Sequence, residues 1–262
     1  MGQDLAGATF GAGGGIPLVF IHGFPLDGRM WECQQAPFSE ERRVLVPDLR
    51  GFGRSPLPEK QNTIEDHARD LALFLEMHNV TRAILCGFSM GGYVALAFAS
   101  LFPWKMAGLV LADTRASADP DSAKVHRTTS AQRALSEGMC FLADEMLFKL
   151  LTEETLHAGE GELPRKVWNM MVDQRREGMA KALVAMRDRP SRLEELNRIC
   201  CPTLVVVGGK DAITPPSEAR SMTSSIPGAR YAEIARAGHL ACMEQPEAFN
   251  KALENFLREG KL

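Results

Sequence analysis

The sequence is short of specialised signals, and each shortage excludes a class of function. Its 262 residues carry 30 Lys or Arg against 33 Asp or Glu, a formal net charge of −3. No field of one sign therefore exists to hold nucleic acid or an anionic membrane. No run of about 18 apolar residues is present to span a bilayer. The six cysteines, Cys33, Cys86, Cys140, Cys200, Cys201 and Cys242, include no C-x-x-C pair, which argues against a redox motif, a zinc site or a disulfide framework. No H-E-x-x-H stretch occurs, so metalloprotease chemistry has no ligands. Met1-Gly2-Gln3-Asp4-Leu5 lacks the basic and apolar blocks of a signal peptide, and Ala6 breaks the myristoylation pattern. The expectation is a cytoplasmic protein with no cofactor, no metal, no membrane and no nucleic acid as partner, existing as a monomer or weak homo-oligomer.

What is present is ordinary globular material, 45% hydrophobic and 24% charged, so disorder and fibrous architectures are out. Two Tyr stand against 13 Phe and 13 Met, giving an adaptable apolar interior. Five short runs, Pro17–His22, Arg43–Pro47, Ala83–Cys86, Leu109–Ala112 and Thr203–Val207, are continuously apolar instead of alternating. That pattern predicts strands buried on both faces, hence a mostly parallel sheet flanked by helices. A more polar sixth run, Ala229–Ile234, belongs at the sheet edge.

Between Ala112 and Thr203 the pattern changes to helices, predicted over Ser122–Ser136, Met139–Leu151, Pro164–Glu177, Met179–Asp188 and Arg192–Ile199. Gly138, Gly159, Gly161, Gly178 and Pro190 punctuate them, and Pro164 suits a first helical turn. The chain thus divides into an α/β core, 1–114 and 200–262, and an inserted helical cap, 115–199. Acidic and basic residues balance within the cap. Gly11–Gly15 precedes a strand instead of following one, the reverse of a dinucleotide fingerprint, and is read as a flexible turn.

The strongest chemical signal is Gly87-Phe88-Ser89-Met90-Gly91-Gly92, after one strand and before a helix. A serine in so sharp a turn presents its hydroxyl clear of the sheet, and the glycines avoid collision where strand and helix meet. Serine needs a base. His239, in the loop after the last strand, is the candidate. Two carboxylates at strand ends compete to orient it, Asp211 and Asp113. The order Ser89…Asp211…His239 favours Asp211, leaving Asp113 as a structural carboxylate where the cap begins. His22-Gly23-Phe24-Pro25 closes the first core strand, so the Phe24 and Met90 amides are the expected oxyanion donors. His22 is read as a buried histidine bonding the loop backbone. Asp48–Ser55 lacks the Gly-Lys-Ser/Thr ending of a P-loop and is read as a turn held by Asp and Arg.

Together these stretches resemble the α/β-hydrolase superfamily over nearly the whole chain, and within it the small esterase and 3-oxoadipate enol-lactonase branch. Leu111-Ala112-Asp113-Thr114-Arg115-Ala116, Ala185-Met186-Arg187-Asp188-Arg189, Gly208-Gly209-Lys210-Asp211 and Ala237-Gly238-His239-Leu240 carry the likeness beside the serine motif. The resemblance implies Ser89 as nucleophile, His239 as base, Asp211 as acid, and hydrolysis of a small-molecule ester or lactone. It departs at Met1–Gly15, where the family's opening antiparallel pair is truncated or only partly ordered. Leu26, Trp168 and Leu240 join Phe24 and Met90 as pocket walls, although Trp168 and any single methionine are first read as packing between cap and core. Cofactor-free perhydrolysis (haloperoxidase-type), a carrier-protein methyl esterase and a ligand-binding signalling protein of this fold are the alternatives.

Overall fold

The computed structural model describes residues 4–158 and 161–262. Six strands form one sheet: β1 (Gly7–Ile21), β2 (Arg42–Pro47), β3 (Ala83–Phe88), β4 (Met106–Ala112), β5 (Thr203–Gly208) and β6 (Arg230–Ile234), in the order β2-β1-β3-β4-β5-β6. From β1 to β6 every neighbouring pair is parallel. Side chains on successive residues go to opposite faces, and both faces are apolar. Val19, Ile21, Leu85, Leu109 and Val205 join one buried cluster, whereas Leu18, Phe20, Ile84, Val110 and Val206 join the other. The more polar β6 lies at the edge.

The helices are α1 (Glu32–Ser39), α2 (Ile64–Met77) and α3 (Met90–Leu101), then α4 (Asp121–Glu137), α5 (Cys140–Leu150), α6 (Glu153–His157), α7 (Glu162–Val172) and α8 (Arg176–Asp188) between β4 and β5. They end with α9 (Pro216–Ser225), α10 (Ala241–Glu244) and α11 (Pro246–Glu259). In α2 the capping box of Thr63 and Asp66 satisfies two amides that the first turn would leave open. None of the helices among the described residues is long and apolar enough to cross a membrane.

Three local expectations change. Gly11–Gly15 is not a flexible turn: it lies inside β1. Gly7–Phe10 pairs antiparallel with Val44–Pro47, and after a shift of register Leu18 and Val19 meet Val44 and Leu45, so the opening segment is ordered by pairing with β2 and not as a hairpin of its own. Gly11 and Gly13 are there for proximity, since a Cβ on either would lie 2.2 or 2.1 Å from the Ser39 or Glu41 carbonyl oxygen. Gly178 does not break a helix. The break falls between Val172 and Arg176, and Gly178 sits in the first turn of α8 with its Cβ position 2.1 Å from the Gly51 carbonyl oxygen. The third change is an added helix, α6, started by the Thr152 side chain on the Thr155 amide. The segment after Pro190 forms a 3-10 helix, Leu193–Arg198. The break expected at Gly159 lies outside the described residues.

Candidate active site

Ser89 follows β3 directly and caps α3 with φ 50° and ψ −111°, a conformation that L-residues avoid and that persists only where its surroundings impose it. The imposition comes from glycine contacts. A Cβ on Gly87 would lie 2.3 Å from the Gly91 carbonyl oxygen, and one on Gly91 would lie 2.3 Å from that of Ile21. The turn is fastened to the neighbouring strand as well: the Ser89 amide donates to the Ala112 carbonyl at 2.9 Å, and the Thr114 hydroxyl donates to the Ser89 carbonyl at 2.7 Å. Ser89 stays half-buried while its flanking residues are closed off.

The loops after β5 and β6 bring two more side chains to it. His239 Nε2 stands 2.9 Å from Ser89 Oγ, and its Nδ1 stands 2.8 Å from Asp211 Oδ2. Asp211 accepts from the Ile213 and Thr214 amides at 2.8 and 3.0 Å on Oδ1, and from the Thr214 hydroxyl at 2.5 Å on Oδ2. Burial alone would raise this carboxyl, yet the charge and hydrogen bond of His239, with the Thr214 bonds, hold it below the usual carboxylate range. An ionised Asp211 can only accept, so Nδ1 carries the proton and the Nε2 lone pair faces the serine hydroxyl. An arrangement of this kind can draw a proton from a serine as it attacks an acyl carbon.

The histidine loop is anchored to the inserted helices. Glu244 accepts from the Gly238 amide at 2.7 Å through Oε1. Through Oε2 it accepts from the Thr152 amide and hydroxyl, both at 2.8 Å, and from the Thr155 hydroxyl at 2.6 Å. The Leu240 amide donates to the Leu150 carbonyl at 3.0 Å. The Phe88 ring lies 5.0 Å from the His239 ring.

On the opposite side, Gly23 leaves room for the Phe88 ring, which a Cβ would approach to 2.5 Å. This brings the Phe24 loop against the residue preceding Ser89. Met90 opens α3, where an amide has no partner within the helix. His22 is sealed from solvent, with Nδ1 3.0 Å from the Gly23 carbonyl and Nε2 accepting from the Leu49 amide at 2.9 Å. The Asp48–Ser55 turn is held as an Asp/Arg network: Arg54 Nε donates to Asp48 Oδ2 at 2.9 Å, and the Ser55 hydroxyl donates to the Asp48 carbonyl at 2.5 Å.

The expected pocket walls fare differently. Leu26 and Leu240 are fully buried among core residues. Trp168 is half-buried and its indole N–H donates to Asp144 at 2.8 Å, which holds it within the insert. Asp113 also changes character: instead of capping the insert, its Oδ1 accepts from the Gly208 amide at 2.7 Å, across to the neighbouring strand. Two residues that sequence reasoning missed matter here, Thr214 and Glu244. Thr214 had a readable signal, an Asx-type turn from Asp211 to a hydroxyl residue three positions on.

One cluster among the described residues has metal-ligand spacing, Asp113, Asp211 and His239, whose ligand atoms lie within 4.8 Å of one another. Its donor set fits a hydrogen-bond relay better than a cation. The Nδ1 of His239 carries a proton toward Asp211, and both Asp211 oxygens are already engaged.

The comparisons with known proteins agree on the fold, while the relatives' names range from esterases and lactonases to bromoperoxidases. The model of the alpha/beta hydrolase fold matches residues 16–246. The 3-oxoadipate enol-lactonase 2 of Acinetobacter baylyi is 28% identical over 258 residues, covering 98% of this chain and 94% of its own. A thermophilic esterase from Thermogutta terrifontis, solved with malate bound, superposes with a TM-score of 0.93 at 42% identity, over 98% of this chain and 93% of that one. The enol-lactonase from Burkholderia xenovorans LB400 gives 0.91 at 30% identity, over 97% and 96%.

Proposed function

The chain belongs to the α/β-hydrolase family, and from that premise we propose that it is a serine hydrolase of small carboxylic esters or lactones. The observation that carries this reading is the continuous chain from Ser89 Oγ to His239 Nε2 at 2.9 Å and from His239 Nδ1 to Asp211 Oδ2 at 2.8 Å. In it, Ser89 attacks the substrate carbonyl carbon while His239 takes the hydroxyl proton. The Phe24 and Met90 amides receive the developing oxyanion. When the tetrahedral intermediate collapses, His239 returns that proton to the leaving oxygen, and the acyl group stays on Ser89. Water then attacks the acyl carbon while giving a proton to His239, and His239 returns that proton to Ser89 Oγ as the acyl–oxygen bond breaks and the acid leaves. A lactone differs only in that its leaving oxygen stays tethered.

The names of the relatives, an esterase and two enol-lactonases, support the substrate class. Residues 115–199 act as a cap over the core formed by 1–114 and 200–262, and the Glu244 bonds couple that cap to the histidine loop. Six unpaired cysteines suit a reducing, cytoplasmic setting. A panel of p-nitrophenyl esters of increasing chain length, run beside several lactones, tests the reading. Turnover and labelling by a serine-directed fluorophosphonate are expected, with Ser89→Ala abolishing the label and lowering kcat by about 10⁴-fold or more. A protein inert to the whole panel and unlabelled would sink the reading.

A further inference from the structure

Asp113 is the buried group that the mechanism above does not use. Its strand, β4, stands between β3, which carries Ser89, and β5, which leads to Asp211. It is fully buried, and its backbone adopts φ 45°, the left-handed region that a non-glycine residue enters only under constraint. The twist is held by the Asp113 amide donating to the Val206 carbonyl at 2.9 Å. One carboxyl oxygen is bonded to the Gly208 amide, while Oδ2 is buried without a hydrogen-bond partner. Ligand atoms of Asp113, Asp211 and His239 all lie within 4.8 Å of one another. A buried polar atom left unpaired carries a desolvation cost, and an oxygen of this carboxyl lies within 4.8 Å of an imidazole nitrogen.

We infer that Asp113 is a reserve carboxylate, a positioning residue able to orient His239 when Asp211 cannot. The inference rests on the serine-hydrolase reading. Two carboxylates this close do not both ionise readily. Asp211 has the donors, two amides, a hydroxyl and the imidazole, so the charge resides there. Burial, and next the Asp211 charge, push the Asp113 carboxyl well above its ordinary range, and it keeps its proton. If Asp211 is neutralised, that repulsion disappears and Asp113 can ionise in its place. A shift of about 2 Å then brings a carboxylate oxygen to hydrogen-bond distance from His239 Nδ1. The other titratable groups facing Asp113 are Glu244 and Cys242 on α10 and Cys86 on β3.

The test is a double-mutant cycle, with kcat/KM measured on the best short p-nitrophenyl ester from pH 5 to 10 for the wild type, Asp113→Asn, Asp211→Asn and the double variant. Asparagine keeps an oxygen for the Gly208 amide. Asp113→Asn is expected to lose less than tenfold, and the double variant to fall at least tenfold below Asp211→Asn at pH 9. Activity of Asp211→Asn should also rise with pH along a limb that the double variant lacks. Equal rates for Asp211→Asn and the double variant overturn the inference, as does an Asp113→Asn loss as deep as that of Asp211→Asn. If the double variant does not fold, the profile of Asp211→Asn decides alone, and one without the alkaline rise overturns it. A wild type inert to esters and to fluorophosphonate would instead mark the failure of the hydrolase reading itself.

Discussion

His22 and His67 are closed to solvent, and each is built to stay neutral. Protonating His22 Nε2 would set a donor against the Leu49 amide that now donates to it. Burial lowers its pKa. For His67, burial first and then the Arg50 charge bring the value down to about 3. Each folded pKa lies below the unfolded value near 6.5, so the stability is fully present above that pH. It is lost as pH falls, because the unfolded chain takes protons that the folded one refuses. The slope approaches about 1.4 kcal/mol per pH unit for each histidine. Urea midpoints should therefore drop between pH 7 and pH 5, and His67→Gln should flatten the drop. An equal pH dependence in that variant would contradict the argument. The Asp211 contribution is also lost on acidification, but only below the ordinary carboxylate range near 4.

Thr214 belongs to the same scale. Its hydroxyl donates to Asp211 and lies 3.3 Å from His239 Nδ1. Thr214→Val keeps the shape and removes the donor, so kcat is expected to fall about tenfold with KM little changed, at the lower end of the roughly 1.5–3 kcal/mol for a hydrogen bond to a charged group. Steady-state kinetics on one ester measure it. Ser89, Asp211 and His239 were legible as candidates because Ser89 and Asp211 each follow a short apolar run closely enough to be placed at a strand end, and His239 lies in the loop after the more polar edge run. Glu244 was not, since the partners that give it a role, Thr152 and Thr155, are 92 and 89 residues away, and nothing local announces such a bond.

At the level of elements, glycine misled in both directions. A glycine inside a helical pattern suggests a break, because it costs about 1 kcal/mol relative to alanine there. Gly178 instead lies within α8, pressed onto the Gly51 backbone. The two effects oppose each other in Gly178→Ala. The helix gains its propensity term, while the added methyl must push α8 from the Asp48–Ser55 turn, an overpacking that costs about 1–3 kcal/mol. A position 2.1 Å from a carbonyl oxygen leaves no room for side-chain relaxation, so overpacking wins. The urea midpoint should fall in Gly178→Ala, and a rise would show that α8 moves freely. The sheet itself was legible because buried parallel strands leave unbroken apolar runs. Gly7–Phe10 left no such run, being held by pairing with β2 and not by its own side chains.

At the scale of the whole molecule, the proposed cap buries its apolar side chains, among the described residues, in clusters that it shares with the sheet. Met139, Leu142, Met179 and Leu183 are buried in the same cluster as Leu85 and Leu109 of the sheet, and Leu150, Met170 and Met171 are buried with Phe20 and Val110. Arg189 is the polar counterpart of that sharing. It is bonded to Asp119 at 2.8 Å with both side chains almost fully buried. It also donates to the Met186 and Ser117 carbonyls at 2.7 and 2.9 Å. Its guanidinium lies 4.0 Å from the centre of the Tyr93 ring, on the helix that Ser89 begins. Removing one partner of a buried pair costs about 3–5 kcal/mol. Because Arg127 also pairs with Asp119, the lower end applies, so Arg189→Ala should lose about 3 kcal/mol by urea unfolding. Lysine keeps the charge but not the planar fork, so Arg189→Lys should recover only part of the loss. Since both clusters cross the boundary, far-UV circular dichroism and the part of the tryptophan fluorescence that Trp168→Phe removes should report one coincident transition, with and without Arg189→Ala. A separate early transition at Trp168 would mean that residues 115–199 fold as an independent unit. The shared clusters would then be contact between two domains and not a common core.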